Sequence, residues 1–326
     1  MAIFNQLLRS LASFTVPGKT KARLTVLLYH RVLQSLDPLL PAEPDAAGFD
    51  AQVALLSSVF NILPLNQALI QLRQGSLPPR ALGISFDDGY RDNVEIALPI
   101  LRRHGATATF FIASGLLDGG RMMHDTVIET LRRLPAQRLD LEWLGLGQLP
   151  IGDAASRLDA INRFVGKVKY LPFNERLEAC NRLGSLSPTP LPERLMMTSD
   201  EVRQLKRAGM HIGGHTRDHP ILAKIDADEA ARQIRIDREA LAGLLGSAPD
   251  LFAYPNGKPG LDYHAEHVAM VKAAGYSAAV SVSFGSTSAE SDHFQIPRFN
   301  PWDRNPKRLV MRLLAHPMRH RVPVMA

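Results

Sequence analysis

The chain holds one cysteine in 326 residues, Cys180, so no disulfide can close within it. Scaffolds stapled by disulfides are excluded, and a reducing compartment suits the composition. Cys180 sits in the helical pattern E-R-L-E-A-C-N-R-L, where a small packing residue fits. Aromatics are scarce at 6%, and none interleaves with basic residues to form a base-stacking platform, so a nucleic-acid partner is not expected. No apolar run approaches the roughly 18 residues of a membrane-spanning helix. The opening M-A-I-F-N-Q-L-L-R-S-L-A-S-F lacks the basic start, continuous apolar block and small-residue cleavage site of a secretory leader. The expected location is therefore cytoplasmic. There is no internal repeat and no low-complexity tract.

What is present is globular: 45% apolar and 21% charged residues, enough to bury a sizeable core. The net charge of +6 is dispersed, with mild clusters at Lys19, Lys21 and Arg23 and at Arg312, Arg319 and Arg321. Such a charge suits a solvated surface or attraction to an anionic membrane or an acidic polymer. Residues 1–23 form an amphipathic segment in which Ile3, Phe4, Leu7, Leu8, Leu11 and Phe14 fall on one helical stripe. The stripe either docks on its own domain or, through residues 3–14, rests peripherally on a membrane. The pattern does not speak to oligomeric state.

From residue 24 to 326 short apolar runs alternate with helical patterns. Strands are predicted at 24–29, 81–86, 106–112, 210–215, 251–254 and 277–282, with amphipathic helices at 92–104, 199–208, 227–245 and 264–274. Strand and helix repeated in this way imply parallel pairing with helices outside, an α/β fold in the form of a distorted (β/α) barrel, complete or incomplete. Residues 118–198 break the rhythm with helical stretches at 125–133, 153–165 and 175–183 and Pro-rich joints. They are read as a helical insertion, and T-S-D-E at 198–201 marks the N-terminus of the helix that resumes the pattern.

Two motifs carry chemistry. G-G-H-T-R-D-H-P places His215 and His219 four residues apart after an apolar strand; on one helical turn that spacing puts both rings on one face, where they can hold one ion. F-D-D-G places Asp87 and Asp88 at the end of another strand. In parallel α/β folds the C-terminal strand ends share one rim. Two imidazoles and one carboxylate leave a coordination position open for water, which is the pattern of a catalytic metal site. Neighbouring residues at a strand end point different ways, so one aspartate can bind the ion while the other meets the water as a base.

F-D-D-G with H-T-R-D-H resembles the first two motifs of the polysaccharide deacetylases, carbohydrate esterase family 4. L-L-Y-H-R-V (27–32) and F-A-Y-P-N-G (252–257) are similar to the branch found among bacterial exopolysaccharide deacetylases. The resemblance covers roughly residues 24–300. It implies a hydrolase acting on carbon–nitrogen bonds other than peptide bonds, one that removes N-acetyl groups from saccharides with a divalent metal, often zinc. It implies Asp87 as catalytic base, Asp88, His215 and His219 as metal ligands, and Thr216 as support for the histidine loop.

The chain departs from the family in two places. Where the family has Arg-x-Pro-Tyr this chain has Ala253-Tyr254-Pro255-Asn256. The Asn256 backbone N–H can still serve as oxyanion donor, since a backbone group does not depend on the side chain. The arginine that orients the base is missing, and Arg298 in I-P-R-F is the candidate replacement. The family's late leucine-histidine motif has no clear match. His30 is the preferred general acid or substrate contact, with His124 and His316 as weaker candidates, while His264 and His267 read as solvated. The expected substrate is an N-acetylated saccharide of a bacterial polysaccharide or its precursor. A lipid-linked sugar, a small cyclic amide, or glycan binding without catalysis remain open alternatives.

Overall fold

The apolar runs recur as the strands of a single parallel sheet in the computed structural model, which describes residues 2–315. They are β1 (Thr25–Tyr29), β2 (Asn61–Ile62), β3 (Ala81–Phe86) and β4 (Thr109–Ile112). A two-stranded antiparallel ribbon, β5 (Arg138–Asp140) and β6 (Gln148–Pro150), precedes β7 (His211–Gly214), β8 (Leu251–Ala253) and β9 (Ala278–Val280). The main sheet runs β1-β3-β4-β7-β8-β9, with β2 also pairing with β3, and every pairing in it is parallel. Both faces of these strands are covered, which is why they read as continuous apolar runs rather than alternating ones. Tyr29, Phe86 and Phe110 stack through the interior with centroids 5.3 and 4.9 Å apart.

The sheet curls until its edges almost meet, and an irregular segment fills the gap. Ile296 bridges Val280 of β9, and Phe299 bridges Leu27 of β1. Phe299 N donates to Val26 O, Leu28 N to Phe299 O, and Ile296 N to Ala279 O. This seam is too short and bent to form a regular strand, so the barrel is distorted and its regular pairing incomplete.

Helices surround the sheet: α1 (Ala2–Thr15), α2 (Ala46–Val59), α3 (Leu65–Arg73) and α4 (Leu98–Arg103), then, past the insertion, α8 (Ser199–Arg207), α9 (Ala227–Leu245), α10 (Ala265–Ala273) and α11 (Pro306–Ala315). The helical pattern at 92–104 divides into a π-helical stretch, Asn93–Ala97, and α4. Pro99 has no N–H to continue the ladder, which accounts for the change of pitch. Thr198 and Glu201 form a reciprocal capping box at the start of α8. The N-terminal stripe splits: Leu8, Ala12 and Val16 enter the main core, while Leu7, Leu11 and Phe14 face solvent.

Between β4 and β7 lie α5 (Met123–Arg133), the β5–β6 ribbon, α6 (Ala154–Val168) and α7 (Phe173–Gly184). These elements bury their own apolar cluster, including Val127, Leu139, Leu149, Phe164, Cys180 and Leu183. The ribbon has no counterpart in the sequence reading, because three-residue strands are too short to show a period.

Candidate active site

Because the strands are parallel, their C-terminal ends share one rim, and β3 delivers Asp87 and Asp88 there. The peptide turns sharply after Asp87: Asp88 has φ 77° and Gly89 φ 91°. Left-handed backbone is costly for a residue with a Cβ, so Asp88 is held there by its surroundings. The two carboxylates consequently meet different partners. Asp87 receives both arms of the Arg298 guanidinium at 2.7 Å each. Asp88 Oδ1 lies 3.4 Å from Nε2 of His215 and 3.4 Å from Nε2 of His219.

One donor atom from each of Asp88, His215 and His219 lies within 4.8 Å of the other two. The donor chemistry fits a divalent ion. His215 Nδ1 is 2.7 Å from Ala253 O, which leaves Nε2 to face Asp88. Burial pushes His219 down to about 3, so its ring is neutral and able to ligate. Burial also pulls His215 down, but Asp87 and Asp88 outweigh it and raise this ring above its usual value. Burial would raise the Asp88 carboxyl, yet the hydrogen bond with His215 and the charge of His219 hold it far below the usual carboxylate range.

The histidine pair is not on a helix. His215 through Pro220 form a loop beyond β7, with Thr216 at φ 63° and His219 at φ 54°. The four-residue spacing brings the rings together, centroids 4.7 Å apart, through loop geometry rather than a helical turn. A helix would bond the backbone N–H groups to carbonyls four residues earlier; here α9 side chains accept from two of them, those of His215 and Asp218. Asp237 accepts from Ser114 N and His215 N, both at 3.0 Å. One turn earlier, Gln233 accepts from Asp218 N at 2.9 Å. Burial pushes the Asp237 carboxyl up to about 7. Gly214 permits this approach, since a Cβ there would lie 2.1 Å from the Tyr276 hydroxyl and 2.7 Å from Asp237 Oδ2. Thr216 is buried, but its hydroxyl makes no hydrogen bond among the described residues, so it supports the loop by packing alone. Gln233 and Asp237 escaped the sequence reading; their signal was two polar residues on the apolar face of α9 with Ala230, Ile234 and Leu241.

Arg298 lies on the seam between β9 and β1. It is 2% exposed, and its other donors go to Ser281 O and Ser85 Oγ. Burial would raise the Asp87 carboxyl, but the Arg298 and His215 charges more than offset it, and Asp87 stays below its usual value. Ala253, at the position of the family's arginine, contributes only its carbonyl.

The remaining candidates line one cavity of about 580 Å³ together with Asp87, Asp88, His215 and His219. Asn256 follows β8 at φ 59°, and no acceptor takes its N–H among the described residues. His30 follows β1; its loop is fixed by Asn93, which donates to His30 O at 2.9 Å, and by Asp92, which binds Arg31 at 2.8 Å and Val32 N at 3.3 Å. His124 enters from α5, 2.9 Å from the Tyr90 hydroxyl, which donates to Asp125. His267 is buried rather than solvated, because its Nδ1 accepts from His264 N and caps α10; His264 is exposed. His316 lies outside the described residues.

The sequence model of the polysaccharide deacetylases matches residues 74–138 and 176–279. The chain belongs to the polysaccharide deacetylase family. Members of this family hydrolyse carbon–nitrogen bonds in N-acetylated sugars. A curated relative, the putative polysaccharide deacetylase YxkH of Bacillus subtilis (strain 168), is 31% identical over 93 residues, 28% of this chain and about a third (32%) of that protein. Among solved structures, the Streptococcus pyogenes deacetylase PplD superposes with TM-score 0.59 at 18% identity, covering 89% of this chain and 97% of that one. IcaB from Ammonifex degensii superposes with TM-score 0.57 at 17% identity, covering 90% and 96%. At such identities these neighbours bear on the fold, which is the deacetylase barrel.

Proposed function

We propose that this chain is a metal-dependent hydrolase that removes N-acetyl groups from amino sugars of a bacterial polysaccharide or its precursor. The observation that carries the proposal is the division of labour between adjacent aspartates: Asp88 faces two histidines, while Asp87 is held by Arg298 in the same cavity. Asp88, His215 and His219 would hold the ion, and their mixed nitrogen and oxygen donors suit zinc. A bound divalent ion would polarise the acetyl carbonyl and acidify water.

The chain's own residues do the rest. Asp87, kept ionised by Arg298, accepts a proton from the attacking water; each carboxylate oxygen has a lone pair beyond the one Arg298 uses. The N–H of Asn256, which has no acceptor among the described residues, stabilises the oxyanion that develops on the acetyl oxygen. His30, at the cavity wall, donates a proton to the departing amine. The products are acetate and a free amino sugar.

Two variants test the assignment. Asp87→Asn is expected to abolish acetate release with metal still bound, whereas His215→Ala loses both, as read by metal analysis beside an acetate assay. Near-normal turnover by Asp87→Asn would show that the base lies elsewhere.

The proposal includes a cytoplasmic location at a membrane face. No described helix is long and apolar enough to cross a membrane. The exposed Leu7, Leu11 and Phe14 of α1, with Lys19 and Lys21 exposed just beyond, suit peripheral contact with an anionic surface. Phe14→Glu should abolish co-sedimentation with anionic vesicles; unchanged sedimentation would remove this part of the proposal.

A further inference from the structure

The cavity has two unlike walls. On the barrel side stand the carboxylates and histidines of the site. The insertion contributes Arg121, His124 and Asp125 and, apart from these, a largely hydrocarbon lining: Val127 of α5, Val165 and Val168 of α6, and Phe173, Leu177 and Cys180 of α7. Lys169, at the end of α6, and Arg176 of α7 line the same cavity. Among the described residues no carboxylate forms an ion pair with either. Arg176 donates weakly to Lys169 O at 3.4 Å and its guanidinium lies 5.6 Å from the Phe173 ring centroid, while its buried Nε makes no hydrogen bond among the described residues. The carboxylate whose charge bears on Lys169 is Asp262, which is already engaged by Lys258 N, and the charges of Lys258 and Arg176 oppose it. Burial lowers both cations, and Arg176 lies near enough to His219 for its charge to be felt there.

A neutral glycan does not satisfy this arrangement. It would leave two half-buried cations without a counter-charge and set hydroxyls against an apolar lining, both unfavourable in a partly enclosed site. The missing groups are an anion near the ion site and a hydrocarbon beyond it. In an N-acetyl amino sugar phosphorylated at C1, the phosphate is attached to the carbon next to the one bearing the acetamide. With the acetamide at Asp88, His215 and His219, a phosphate one carbon away would reach toward Arg176 and Lys169 in the same cavity, and a chain esterified to it would meet the hydrocarbon lining.

We propose that the substrate is an N-acetyl amino sugar linked through phosphate to a hydrocarbon chain, with Arg176 and Lys169 binding the phosphate and the insertion enclosing the start of the chain. This deepens the deacetylase reading and takes from it the position of the acetamide. The insertion is then the specificity element, and the enzyme acts on a lipid-linked precursor rather than on a finished polymer. The reaction that supplies its substrate must transfer either the N-acetyl amino sugar to a lipid phosphate or its 1-phosphate to a lipid alcohol.

Binding tests this apart from catalysis. Titration calorimetry on the zinc-loaded full chain would compare farnesyl-phosphate-linked N-acetylglucosamine, N-acetylglucosamine 1-phosphate and chitotetraose. The expected affinities fall in that order. Arg176→Leu should weaken the farnesyl ester by about 10- to 100-fold, as for loss of a charged hydrogen-bonding contact. Arg176→Lys should restore part of the loss, Lys169→Met should weaken ester binding as Arg176→Leu does, and each should change chitotetraose binding far less than ester binding. Equal affinity for chitotetraose and the ester, or an Arg176→Leu chain that binds the ester normally, overturns the proposal. Tight ester binding without acetate release would overturn the deacetylase reading and leave the ligand assignment standing.

Discussion

Asp87 and Arg298 are 211 residues apart in sequence and share two hydrogen bonds in a site closed to solvent. Removing one partner leaves the other as an unpaired buried charge, which costs about 3–5 kcal/mol. Arg298→Met is therefore expected to lose stability on that scale in denaturant titration, and a second change, Asp87→Asn, should recover much of it. The pair also sets a pH dependence. Asp87 has a lower folded than unfolded pKa, so its contribution is present above the unfolded value of about 3.9 and is lost as pH falls through the folded value. Below about pH 4 the melting temperature of wild type should fall more steeply than that of the Asp87→Asn/Arg298→Met double variant. The carboxylates and histidines were legible in the sequence because adjacent and four-spaced polar residues after apolar strands have few structural uses. Arg298 was visible only as a cation in an apolar setting; its partnership with Asp87 is long-range and leaves no local pattern.

At the scale of elements, α9 governs the histidine loop. Asp237→Asn replaces one accepting oxygen with a donor, so either Ser114 N loses its acceptor or His215 N keeps only Ile112 O and meets an N–H group. The expected cost is about 1–3 kcal/mol in stability, with metal affinity lower by about 10- to 100-fold, measured by competition with a chelator. Gly214→Ala should act in the same direction, by pushing a methyl group into the Tyr276 hydroxyl and Asp237. The helical reading of His215 and His219 failed because spacing alone cannot distinguish a helical turn from a loop with left-handed residues at Thr216 and His219. Helices with strong caps, such as α8, were legible. The β5–β6 ribbon was not, since its register depends on the insertion cluster into which Leu139 and Leu149 pack.

For the whole molecule, the proposed metal couples to stability. An ion that binds only the folded chain stabilises it by about 2.7 kcal/mol at a hundred times its dissociation constant. Chelation should lower the melting temperature by a few degrees, and His219→Ala should melt at the same temperature with or without chelator. The parallel sheet was legible from its apolar runs, whereas its closure was not, because the segment from Ile296 to Phe299 follows neither a strand nor a helix period. That seam carries one more consequence, in the order in which the chain is made. A ribosome delivers Asp87, Asp88, His215 and His219 before the residues that seal the ring. A nascent chain emerging as far as β9 carries every proposed metal ligand but no guanidinium for Asp87. Arg298 arrives on the segment that completes the barrel, so closing the ring and arming the proposed base are a single late event in biosynthesis, and a partly made chain carries the ion site without a working base.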